Sequence, residues 1–406
     1  MVYRKPVHCF YHKTTPILMV NLTLFSQLLQ LLPRDSFRSL VNEYQSDKSS
    51  KGITSWTHLV SMLFCQFGHL NSVRDIPRGL CSIAGNASHL GITKVPSKSS
   101  VSYINQNRDW ELFRDYYYAA LDHFQQQYHF GRKGLPRLKR KVFLVDASVI
   151  PLCLSLFDWA QYRKKKGAIK LHTVLDYDGC LPVFASVTEG KTHEVNVVRE
   201  LSFPTGSVVV FDRGYIDYEW MNELDSSGVF FVTRMKTNAA YKVNKVFLDK
   251  PEADGVRFDA DISFWTASSQ KKYPGKIRLV RYWDAEQQKE LEFITNNPHW
   301  KAQTVADVYR ERWNIEVFFK QIKQNLKIKS FIGTSVNAVM IQLWTAMLSM
   351  LLLIVMKSRA KYQWNLSNMV VFLRLNLLVK VDLWGWLDDP FFRPPEKADS
   401  AQVRLF

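Results

Sequence analysis

Residues 142–148 read VFLVDAS and residues 208–215 read VVVFDRGY; in each, an apolar, β-branched run ends in an aspartate. Such runs read as buried strands of a sheet covered by helices. Asp146 and Asp212 then stand at strand ends, and α/β sheets place their sites outside the carboxyl edge of the strands. A third acid comes from YRERWNIEVFFKQIK, residues 309–323. Read as one helix, this segment sets Tyr309, Arg312, Glu316 and Lys323 within an arc of roughly 60°. Three carboxylates with little other chemistry nearby suit paired Mg²⁺ ions.

Each acid also has a plainer reading. An aspartate after a strand is commonly a turn former or a helix cap. Glu316 can be an i,i+4 partner of Arg312 or Lys320, worth a few tenths of a kcal/mol. Asp146 and Asp212 are 66 residues apart, and Asp212 and Glu316 are 104 apart, so only a fold brings them together.

The spacing Tyr, two residues, Arg, three residues, Glu, six residues, Lys is complete at Tyr309, Arg312, Glu316 and Lys323. With LVDASVIPL at 144–152, VVVFDRGY at 208–215 and EFITNN at 292–297, it resembles the catalytic region of bacterial insertion-sequence transposases of the IS4 type, members of the DDE group. LFSQLLQLLP at 24–33, SWTHLVSMLFCQF at 55–67 and SSVSYINQNRDW at 99–110 resemble the amino-terminal domain of one branch of that family. The resemblance implies a ribonuclease-H-like core in which Asp146, Asp212 and Glu316 are catalytic and bind two Mg²⁺ ions, with Mn²⁺ able to substitute in vitro. It further implies double-stranded DNA with terminal repeats and target DNA as partners, a homodimer in the paired-end complex, and a bacterial cytoplasmic location at the nucleoid. Tyr309, Arg312 and Lys323 are implied contacts to phosphate. A ribonuclease-H-like endonuclease that does not transpose, and a noncatalytic DNA-binding derivative, are the other functions weighed.

Composition agrees with a large DNA-acting enzyme. At 406 residues the chain exceeds the size at which single cores usually stop growing. Lys and Arg number 54 against 37 Asp and Glu, a formal charge of +17 that suits a polyanionic partner. A basic solubilising surface is the alternative. Cys9, Cys65, Cys81, Cys153 and Cys180 are odd in number and lack metal-type spacing, which fits a reducing compartment.

The expected organisation is α/β, with a mostly helical amino-terminal domain before the catalytic core. Residues 1–20 read as a disordered extension without a signal peptide, with Met19 the expected start. Residues 21–131 carry helical apolar stripes, such as Leu24, Phe25, Leu28, Leu29 and Leu32, and are the expected DNA-binding domain. The catalytic domain spans 142–356 with a β-rich insertion at 236–298, and 357–406 offers little chemistry. Trp265, Tyr273, Tyr282 and Trp283 of the insertion can stack on a base, but sheet packing is the plainer role.

Between these domains, residues 132–141 form a basic linker with Arg132, Lys133, Arg137, Lys139, Arg140 and Lys141. A second cluster is Arg163, Lys164, Lys165 and Lys166. Both are candidate phosphate contacts able to line one groove, against the plainer reading of solvated charge. His193 is a possible site-edge residue. Residues 338–356 are apolar enough to suggest a membrane span, but Gln342, Thr345 and Ser349 at near-helical spacing fit a buried core helix, so no membrane is expected.

Overall fold

A computed structural model describes residues 21–391 apart from 49, 51, 84–86, 131–137, 154, 158, 160, 164–165, 191–193 and 250–254. The expectations for residues 1–20, Arg132, Lys133, Arg137, Lys164, Lys165 and His193 lie outside the described residues.

Among the described residues six α-helices come first: α1 (Leu24–Gln30), α2 (Arg34–Glu43), α3 (Ser55–Gly68), α4 (Asp75–Cys81), α5 (Lys98–Asn107) and α6 (Glu111–Gln127). Their starts are written in the sequence. Thr23, Thr54 and Ser97 cap α1, α3 and α5, each side-chain oxygen accepting from the backbone N–H three residues on. His69 ends α3 in the left-handed region, at φ 53°.

The sheet follows as β1 (Val142–Leu152), β2 (Gln161–Arg163), β3 (Lys166–Asp176), β4 (Leu181–Glu189), α7 (Glu194–Val198), β5 (Val208–Phe211), α8 (Tyr218–Ser226) and β6 (Phe230–Arg234). It continues with β7 (Tyr241–Leu248), β8 (Val256–Phe264), α9 (Ala267–Lys272), β9 (Ile277–Asp284) and β10 (Lys289–Thr295). The chain closes with α10 (Ala302–Arg310), α11 (Trp313–Asn325), α12 (Val336–Arg359), α13 (Leu366–Asn376) and α14 (Leu383–Asp388).

Ten strands form one sheet in the order β2-β3-β1-β5-β6-β10-β9-β8-β7, with β4 also paired to β3. β1, β3 and β4 run antiparallel; β5 and β6 lie parallel to β1. The fold is mixed α/β, a sheet flanked by helices. Strands β7 to β10 extend the central sheet through the antiparallel β6–β10 pair.

Strand alternation assigns the two faces. Val142, Leu144, Val208 and Val210 pack with the first six helices and α10 to α14, whereas Phe143, Val145, Val209 and Phe211 pack with Trp220, Met221 and Leu224 of α8. The helices of residues 24–127 therefore share one core with the carboxyl-terminal helices, and the backbone N–H groups of Leu24 and Phe25 donate to Val379 and Leu377.

Helix α12 is long and apolar enough to cross a membrane, yet 94% of its most apolar window is buried inside the protein. Gln342, Thr345 and Ser349 are hydrogen-bonded there. Thr345 and Ser349 donate back to carbonyls of the preceding turn, and Gln342 bonds the connector before the helix.

Candidate active site

β1 and β5 are neighbours in parallel register, with Val145 beside Phe211. The next residue on each chain is an acid, so Asp146 and Asp212 follow the same rung of the ladder. By alternation both lie on the face covered by α10 and α11. Glu316 sits in the first turn of α11, which packs on β1.

The expected single helix over 309–323 is two helices. α10 ends at Arg310, Glu311 and Arg312 form a turn, and α11 starts at Trp313. There the N–H of Arg312 reaches the carbonyl of Tyr309 and that of Ile315 reaches Arg312, three-residue bonds that tighten the backbone. Contacts distant in sequence hold the turn: Tyr177 Oη donates to Glu311 Oε2 at 2.7 Å, and Arg312 is drawn onto Asp146.

Arg312 is the hub. Its Nη1 lies 3.2 Å from Asp146 Oδ2 while its Nη2 donates to Glu316 Oε1. Tyr309 Oη donates to Asp212 Oδ1 at 3.4 Å, and its ring packs on Phe293 of β10. Burial raises the Asp146 carboxyl to about 6, with Asp212 and Glu316 adding to the rise and Arg312 and the Ala147 N–H opposing it. Burial and the Asp212 charge push the Tyr309 phenol up to about 12, against the pull of Arg312 and Arg234.

Carboxylate oxygens are the donors that Mg²⁺ prefers. Among the described residues, however, no three His, Cys, Asp or Glu side chains stand close enough to hold a metal ion as placed. The Arg312 guanidinium instead bridges Asp146 and Glu316. By chemistry alone, Asp146, Asp212 and Glu316 are oxygen donors of the type that Mg²⁺ takes.

The described residues of the two basic clusters fall at the two ends of β1. Arg140 donates to the Gly206 carbonyl at 2.8 Å and stacks on Phe230, and Lys141 pairs with Asp176 at 3.5 Å. They stand at the amino end of β1 with exposed Lys139. Arg163 and Lys166 belong by backbone to the β2–β3 hairpin, near Leu152 at the other end of β1. Those ends are about 33 Å apart at 3.3 Å per residue. Lys323 does reach the acid-bearing strand, donating to the Val149 carbonyl at 2.9 Å.

Two neighbours were not singled out from the sequence. Thr173 of β3 is paired directly with Asp146, hence on the same face, and its buried Oγ1 makes no hydrogen bond to described residues. Arg234 ends β6 and bears electrostatically on Tyr309. The available signal was alternation in IKLHTVLD, where Thr173 falls between Leu171 and Leu175 on the face toward α10 and α11. In the β insertion, Tyr273 is buried, whereas Trp265 is 62% exposed.

Asp146 and Asp212 on neighbouring parallel strands, with Arg312 joining Asp146 to Glu316 on a covering helix, form one carboxylate cluster. The chain belongs to the transposase DDE domain family, which matches residues 137–352. Residues 20–93 match a domain of unknown function, DUF4372. A putative transposase, y4zB, of Sinorhizobium fredii is 34% identical over 212 residues, 52% of this chain and 59% of that protein. A probable transposase for insertion sequence element IS5377 of Geobacillus stearothermophilus is 29% identical over 239 residues, 59% of this chain and 63% of that protein. A putative transposase for element IS4SA of a Synechocystis strain is 19% identical over 301 residues, 71% of this chain and 80% of that protein. The chain thus spans 59% and 63% of the length of the first two relatives.

Proposed function

We propose that this chain is an insertion-sequence transposase of the IS4 type, which cuts the ends of its element and joins them to target DNA. The observation that carries the proposal is the juxtaposition of Asp146 and Asp212 at the Val145–Phe211 rung, with Arg312 tying Asp146 to Glu316. The strand order β4-β3-β1-β5-β6, three antiparallel strands followed by two parallel ones, supports a ribonuclease-H-like core. In this reading residues 142–356 are the catalytic domain, the helices of 21–131 bind element ends, and the protein works in the bacterial cytoplasm.

Asp146, Asp212 and Glu316 would hold two Mg²⁺ ions. When bound, the metal supplies Lewis acidity for the attacking and leaving oxygens of the phosphate. The protein's own residues do the positioning. Arg312 guards the acids while DNA is absent and turns its planar fork to phosphate oxygens when DNA arrives. Tyr309 holds Asp212 through its hydroxyl, and Lys323 adds positive charge further along α11. Attack by water nicks an element end, and attack by the freed 3′-hydroxyl joins that end to target DNA. Coordinated excision requires two ends, and a homodimer supplies them most simply.

The test is a strand-transfer assay with the element's own ends, target DNA and Mg²⁺. Joined products support the reading. Nicking without joined products would assign the chain to endonucleases that do not transpose, and end binding without nicking would make it a DNA-binding derivative.

A further inference from the structure

Beyond the acids, the carboxyl end of α11 carries a second concentration of positive charge. His69, Lys323, Gln324, Lys327, Lys329 and Ser330 line a cleft of about 300 Å³. It is assembled from the end of α3, the last turn of α11 and the connector to α12. The connector is pinned from beneath. Gln66 Oε1 accepts the Lys327 backbone N–H at 2.8 Å, and Gln342 Nε2 donates to the carbonyls of Lys327 at 2.6 Å and Ser330 at 2.9 Å. Lys327, only 5% exposed, donates from Nζ to Asn71 Oδ1 at 2.6 Å. Arg374 of α13 braces the same corner, donating to the carbonyls of Phe67 and Asn325, each at 3.3 Å.

Among the described residues none of Lys323, Lys327, Lys329 and Arg374 forms an ion pair. The hydrogen-bond partners of Lys323, Lys327 and Arg374 are neutral oxygens. Burial and then Lys329 lower the Lys323 amine, and burial, Arg374 and Lys327 lower His69. Positive charge fixed in a cleft without acids is best satisfied by an anion from outside the chain.

We propose that this cleft seats phosphates of the DNA strand that runs away from the cleaved end, a proposal that rests on the transposase reading above. The register fits. At 1.5 Å per residue Lys323 lies about 10 Å beyond Glu316 along α11, roughly three base steps at 3.4 Å each. Contacts of this kind fix the position of a duplex without reading its bases. The pinned connector is what makes the seat rigid, since it carries Lys327 and Lys329 into line with Lys323.

The experiment measures binding of the full-length protein to a fluorescent DNA duplex across a salt series, alongside Mg²⁺-dependent nicking of the same duplex. Loss of one phosphate contact lowers the slope of log K against log salt by about 0.9. Lys329→Gln, at an exposed position, is expected to lose about that much, Lys327→Gln the same, and Lys361→Gln, exposed after α12, nothing. An unmoved slope in folded Lys329→Gln overturns the seat. So does binding of inorganic phosphate that Lys329→Gln abolishes while the duplex slope stays put, since that describes a pocket for free anions. If the slopes are unmoved while the wild type nicks and Asp146→Asn does not, the seat alone fails. A wild type that neither binds nor nicks duplex takes the transposase reading down with it.

Discussion

Arg312 Nη1 donates to Asp146 Oδ2 at 3.2 Å across 166 residues of sequence, while Nη2 of the same guanidinium donates to Glu316. One fork thus joins the central strand to the covering helix. Hydrogen bonds to charged groups contribute about 1.5–3 kcal/mol, and lysine cannot reproduce a two-pronged contact. Arg312→Lys is expected to slow strand transfer by roughly 10- to 100-fold with the circular dichroism spectrum unchanged. An undiminished transfer rate would remove Arg312 from the site.

Gln342 fixes the connector from within α12. Its Oε1 accepts the Ile332 N–H at 2.9 Å, and its Nε2 serves two carbonyls. Gln342→Leu fills similar space but strands these groups, at about 1–3 kcal/mol for each buried unpaired one. A lower melting temperature is expected, together with faster amide exchange at Ile332. Equal exchange in variant and wild type would contradict the bracing role.

His58 makes stability fall in acid. Burial, helped by Arg108, lowers its imidazole to about 3, its Nδ1 is buried without a hydrogen bond, and its Nε2 meets Asn105 at 3.4 Å. A histidine depressed in the folded state stays neutral there while the unfolded chain takes up a proton below about 6.5. Its contribution is therefore complete above that pH and is lost as pH falls toward 3, by about 2 kcal/mol at pH 5. His58→Gln should narrow the difference in melting temperature between neutral buffer and pH 5. An unaltered difference would place the acid sensitivity elsewhere.

Arg278 and Asp259 form a buried two-pronged pair across β8 and β9, at 2.7 and 2.6 Å. Removing one partner of such a pair leaves an uncompensated charge and costs about 3–5 kcal/mol. Asp259→Asn is expected to lower the denaturation midpoint sharply, and the double variant Asp259→Leu, Arg278→Met to recover much of the loss. A silent Asp259→Asn would show that the pair is not holding the extended sheet.

The apolar runs were legible because local sequence decides them, but β1 runs on from Val142 to Leu152, so Asp146 is mid-strand and only Asp212 follows a strand end, the position expected of both. VFLVDAS and VVVFDRGY are apolar on both faces up to the aspartate, and burial on both faces is what the parallel β1–β5 pair imposes. The break at Glu311 and Arg312 was hidden, since both residues favour helix and the turn is held by Tyr177 and Asp146, more than 130 residues away. Thr173 was hidden for the same reason: its role follows from the register that sets it against Asp146. Arg140 and Lys141 stand at the amino end of β1, with Lys141 about 17 Å from Asp146 at 3.3 Å per residue, and their partners, the Gly206 carbonyl and Asp176, follow from the fold rather than from their place in the sequence.

The most direct measurement is Mg²⁺-dependent nicking of element-end DNA by Asp146→Asn, Asp212→Asn and Glu316→Gln, each assayed beside end binding. If the three acids form one metal-holding site, each variant loses nicking by several orders of magnitude while binding the ends nearly as tightly as the wild type. Metal-dependent nicking retained by all three folded variants would contradict the assignment of the site.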